Sequence, residues 1–151
     1  PLINHIHEGL RILKHLGAHR DVQDAFALHP MFQHDDDLTL NWYMLAMMPP
    51  MVVTYIMEYR NIANAALSDN VTQPGYIAQW TGKPIKLSPL PQVNMMLIAD
   101  KVQNRADFEL YHKGTHKRSK ELDHYFKVWH NALGVTGERY KELTKVAKEE
   151  A

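Results

Sequence analysis

Leu2, Ile6, Leu10, Leu13 and Leu16 follow one another at three- and four-residue steps, the spacing that puts apolar side chains on one helical face. The pattern predicts a helix over 2–16, closed by Gly17 as C-cap. A second helix starts after Asp21 as N-cap, sets Val22, Ala25, Phe26 and His29 on one face, and stops at Pro30. The acidic run Asp35, Asp36, Asp37 leads into an apolar, helix-compatible stretch over 38–48, which Pro49 and Pro50 break and reseed. The helix expected over 51–67 is apolar almost all round, so it should be central and covered on several sides. Glu58, Arg60, Asn61 and Asn64 are conspicuous on it. Residues 68–91 carry five prolines or glycines before Pro91 and no periodicity, which reads as a lid or flap. Helices are then expected near 92–111, 116–133 and 136–150, with Gly114 and Gly134 as breaks.

This is the pattern of an all-α bundle of six to seven helices with one long loop, and 151 residues suit a single domain over 1–151. Apolar residues at 45% and charged residues at 23% exclude a disordered chain. Lys plus Arg equal Asp plus Glu, 17 of each, so no global field draws the chain to nucleic acid or an anionic membrane. Neither sequence-specific nucleic acid nor a membrane is therefore expected as partner. With no cysteine, disulfides, thiolate nucleophiles and cysteine zinc sites are excluded. No apolar run is long enough to span a bilayer and the first residues lack signal-peptide order, so a cytoplasmic location is the expectation.

Ten histidines direct attention to imidazole chemistry. On the helix near 92–111, Val93, Met96, Leu97, Asp100 and Asn104 share a stripe, turning a carboxylate and an amide towards the core. A buried carboxylate needs a positive partner. An ion pair with Arg60 or Arg105 serves as well as a metal. His29 raises the same question from its apolar face, and His5 lies beside Ile6 on the first helix. Singly, each histidine reads as a hydrogen-bonded core residue. Together, His5, His29 and Asp100 come from three helices that could meet at one ion.

The stretch from His5 to His29 resembles the opening of HD-superfamily phosphohydrolases, closest in pattern to the (p)ppGpp hydrolase type, with its Gly-containing turn and small-residue helix ending in the second histidine. Residues 97–105, Leu-Ile-Ala-Asp-Lys-Val-Gln-Asn-Arg, resemble the closing motif of that family, in which an aspartate completes the metal site and an asparagine four residues on faces the substrate. Here Pro30 stands where the family has the aspartate of its His-Asp pair. The resemblance implies an HD-like bundle and a metal-dependent phosphohydrolase acting on a nucleotide or related phosphorylated small molecule. It makes His5, His29 and Asp100 metal ligands. Two imidazoles and a carboxylate suit Mn, Zn or Fe.

His34 or Asp35 would act as substitute ligand or base, although the acidic run serves equally as a cap for the following helix. Asn104, Arg105, Lys101 and Arg60 would contact substrate phosphate, and the cations of 113–118 read mainly as a solvated face. Trp42, Tyr76 and Trp80 could stack on a base, though core or lid-anchoring roles suit them better. The competing readings are a degenerate HD-like domain that binds a nucleotide or protein without turnover, and a helical interaction module, a homo-oligomer formed through Met44, Met47, Met48 and Met51.

Overall fold

The computed structural model describes residues 1–65, 84–115 and 117–149. Seven α-helices carry the described chain: α1 (Leu2–His15), α2 (Arg20–Leu28), α3 (Asp35–Asn41), α4 (Pro50–Ala65), α5 (Pro91–Tyr111), α6 (Ser119–Ala132) and α7 (Gly137–Lys148). Short 3-10 segments follow α2 (His29–Phe32) and α3 (Trp42–Met47). The expected all-α bundle is what forms. Most of the expected loop over 68–91 lies outside the described residues, with Tyr76 and Trp80, as does His116.

Several boundaries shift for local reasons. The α2 N-cap is His19 rather than Asp21, because the His19 ring accepts from the Asp21 backbone N–H at 3.1 Å. The stretch expected as one helix over 38–48 starts earlier, with the three aspartates as the first turn of α3, where carboxylates offset the positive helix end. It then tightens to 3-10 geometry from Trp42. The end of α2 is as expected: the helix closes at Leu28 with His29 as C-cap, and Pro30 sits at the start of a separate 3-10 segment, where a residue without an N–H is tolerated.

The central element is α5, packed against α1, α2, α4, α6 and α7. Ten of its side chains are buried, from Val93 to Phe108, including Asp100, Lys101 and Gln103. The helix expected over 51–67 is covered on several sides, by α2, α5 and the 3-10 segment after α2, but the central position belongs to α5: α4 buries Val52, Tyr55, Ile56, Tyr59, Ile62 and Ala63 and exposes Met51, Thr54 and Asn61. Three of its four conspicuous polar residues have partners in the fold. Glu58 accepts from Ser88 Oγ at 2.9 Å, Asn64 exchanges hydrogen bonds with Gln33, and Arg60 pairs with Asp35. Of the methionines expected at an oligomer interface, Met47 and Met51 are exposed, while Met44 and Met48 pack partly against the core. No helix among the described residues is long and apolar enough to cross a membrane.

Gly9 lets α1 approach α2. A Cβ at that position would overlap the Phe26 ring, and Phe26 is fully buried against the rings of both His5 and His29. In an exposed helix, glycine to alanine stabilises by about 1 kcal/mol. Here Gly9→Ala is expected to cost about 1–3 kcal/mol through overpacking. A urea midpoint below that of the wild type checks this; a higher one would show that Phe26 moves freely.

Candidate metal centre

Asp100 lies midway along α5 and is 5% exposed. Its Oδ1 is 3.1 Å from His5 Nε2 on α1 and 3.7 Å from His29 Nε2, just after α2. One ligand-type atom from each of the three residues lies within 4.8 Å of the others. Oδ2 faces Lys101 Nζ at 3.2 Å and accepts from Asn104 Nδ2 at 3.1 Å. The expected convergence of the three side chains is present, and the cation paired with Asp100 is Lys101 rather than Arg60 or Arg105.

Local folding aims the histidines. His29 ends α2, where backbone carbonyls lack helical partners, and its Nδ1 donates to the Phe26 carbonyl. Because a carbonyl only accepts, the proton belongs on Nδ1 and Nε2 is left facing Asp100. The ring is further held 4.7 Å from that of Tyr59 and 4.9 Å from that of Phe26. His5 is set by α1, on the face of that helix that also buries Gly9 and Ile12.

The electrostatics follow from burial and neighbours. Burial alone would raise the Asp100 carboxyl, but the Lys101 ammonium and then the neighbouring His29 and His5 rings outweigh it and hold the group well below the usual carboxylate range. Burial pulls His5 down, yet its hydrogen bond to Asp100, the Asp100 charge and Gln103 together raise it above the ordinary imidazole value. Tyr59 is pushed well up by burial and then by the Asp100 charge, so its hydroxyl stays protonated. Burial works against Lys101 as well, but Tyr125 and Asp100 outweigh it and keep the ammonium charged. It also lies 4.8 Å from the Trp129 ring.

The cluster opens onto a cleft of about 290 Å³ that His34, Gln33, Tyr59, Lys101 and Asn104 help to line. Of the residues expected to handle substrate, Asn104, Lys101 and His34 are therefore at the cleft. Three are not. Asp35 is almost fully exposed and is paired with Arg60, so the expected base and one expected phosphate contact neutralise each other at its edge. Arg105 faces α6 and α7: its Nη1 is 3.0 Å from His130 Nδ1, its Nε 3.0 Å from Glu109 Oε1, and its guanidinium 4.2 Å over the Tyr140 ring. Turned about 100° around α5 from Asn104, this side chain packs the bundle instead of reaching the cleft.

Tyr59 and Gln103 were not singled out by the sequence. Gln103 is fully buried beside His5. The available signal was the polar run Asp100, Lys101, Gln103, Asn104 and Asp107 on a helix too apolar at its start to be a surface element. No family model, curated protein or solved structure matches the chain.

Proposed function

We propose that this protein is an HD-like, metal-dependent phosphohydrolase acting on a nucleotide or a related phosphorylated small molecule. The observation that carries the reading is the meeting of His5, His29 and Asp100 within 4.8 Å at a cleft, from three separate elements. The donor set fits a divalent ion such as Mn, Zn or Fe: both histidines turn Nε2 towards one carboxylate. A bound ion would supply Lewis-acid polarisation of a phosphoryl oxygen and a lowered pKa for a water molecule. Asn104 holds the Asp100 carboxylate by its second oxygen, and the Lys101 ammonium offers positive charge at the cleft wall for a phosphate. His34, also at the cleft, is the side chain best placed to take or give a proton near the substrate.

A second reading is a domain of the same build that binds a nucleotide or protein without turnover. It is favoured by Lys101, which already neutralises Asp100, and by Pro30 in the place of a further carboxylate ligand. Metal analysis of protein purified without a His-tag, followed by phosphate release from a nucleotide panel including (p)ppGpp, separates the two. Hydrolysis predicts bound divalent metal and phosphate release that chelation abolishes and that His29→Ala lowers roughly hundredfold or more. Metal-free protein that binds a nucleotide supports the second reading. Absence of both metal and ligand overturns each.

A further inference from the structure

His5 Nδ1 points away from Asp100 and meets the side-chain oxygen of Gln103. Gln103 has no exposed surface, and its amide is not free to turn over. Its Nε2 lies 3.0 Å from Glu8 Oε2 and 2.7 Å from Asp107 Oδ2, and carboxylates only accept. The NH2 end must therefore face Glu8 and Asp107, which leaves Oε1 as the atom presented to His5. Lys148 of α7 holds both carboxylates in place, 2.9 Å from Glu8 Oε2 and 2.7 Å from Asp107 Oδ1.

We infer that Gln103 is a positioning residue that fixes the proton on His5 Nδ1 and so presents Nε2 to Asp100 and His29, with Glu8, Asp107 and Lys148 locking the direction of its amide. The chain of constraint runs from the ammonium of α7 through two carboxylates and one amide to the imidazole. Each link has one polarity only, since an ammonium cannot accept and a carboxylate cannot donate. His29 reaches the same orientation through a backbone carbonyl, so the two imidazoles are matched by different means. The consequence for ion binding rests on the function proposed above; the orientation of His5 does not.

Imidazole proton and nitrogen NMR of the metal-free protein reads the orientation directly. The wild type is expected to show a protected Nδ1–H on both His5 and His29. In Gln103→Met the His5 signal should be lost or exchange roughly tenfold faster, as for removal of one hydrogen bond, while the His29 signal stays. Lys148→Met leaves Gln103 in place but frees the two carboxylates that hold its amide, and should also speed exchange of the His5 Nδ1–H. That variant, at a partly exposed position, decides the matter should Gln103→Met fail to fold. Cobalt(II) titration adds a second readout, with affinity roughly 10–100-fold lower in Gln103→Met. A His5 Nδ1–H that is unmoved in the variants overturns the assignment. A wild type with the protected Nδ1–H that binds no cobalt upholds the role of Gln103 and removes the metal reading instead.

Discussion

Asp100→Asn is expected to abolish divalent-ion binding and to destabilise the metal-free protein by about 3–5 kcal/mol, the cost of leaving one partner of a buried ion pair unmatched. The stranded partner is Lys101, whose side chain is 8% exposed and 3.2 Å from the Asp100 carboxylate. Its other contacts, the Tyr125 hydroxyl at 3.3 Å and the Trp129 ring, do not carry the opposite charge. The effect therefore has two separable parts. Lys101→Met added to Asp100→Asn removes the unpaired ammonium and should recover most of the stability, because a buried pair replaced by neutral groups is often nearly neutral in free energy. It should not recover ion binding, which needs the carboxylate.

Urea unfolding of the wild type, both single variants and the double variant gives the coupling energy, and calorimetric titration with Mn or Zn gives the binding. A single Asp100→Asn variant as stable as the wild type would show that Lys101 is not held by this carboxylate. The pH dependence has a definite sign: the Asp100 carboxyl is depressed in the folded state, so its contribution is complete above about pH 4 and is lost as the pH falls towards its native value. Asp100→Asn should flatten that acid limb.

Acidification should also weaken the fold earlier, through a residue remote from the candidate site. His130 on α6 is 2% exposed; burial, and then the Arg105 guanidinium, lower it from 6.5 to about 4. Arg105 Nη1 can only donate and sits 3.0 Å from His130 Nδ1, so that nitrogen must stay unprotonated, and the Tyr140 ring lies 5.0 Å away. Above pH 6.5 the ring is neutral in folded and unfolded chains alike, and its contribution is whole. Between 6.5 and about 4 the unfolded chain takes a proton that the folded one refuses, so stability falls as pH falls. At about 1.4 kcal/mol per unit of depression, the loss across that window is on the order of 3 kcal/mol. His130→Asn, which keeps an acceptor near Nδ1 but does not titrate, should lose that much less between pH 7 and pH 4. Equal losses in the variant and the wild type would mean that His130 protonates without strain.

How much of this was legible in the sequence differs by element. The apolar steps of α1 and the glycine stop after it were enough to place that helix to within a residue or two, because an amphipathic face is a local property. The stripe on α5 likewise exposed Asp100 as a core-facing carboxylate. The stretch over 38–48 was harder: three aspartates favour a helix start, while Asn41 sends its Nδ2 back to the Met31 carbonyl, a contact between segments that no local pattern displays. Arg105 was misjudged for the same reason. One residue beyond Asn104, it turns about 100° around α5, and the partners awaiting it belong to α6 and α7.

The sequence by itself determined the helices and their apolar faces, since each depends on spacing within one segment, and offered His5, His29 and Asp100 as one site only through the resemblance. Tertiary structure decided the rest: that Lys101 is the cation on Asp100, that Asp35 and Arg60 satisfy each other, and that Gln103 faces His5. Those pairings join residues up to 98 positions apart. Which polar group meets which is fixed only when helices pack and desolvation forces every buried donor and acceptor to find a partner.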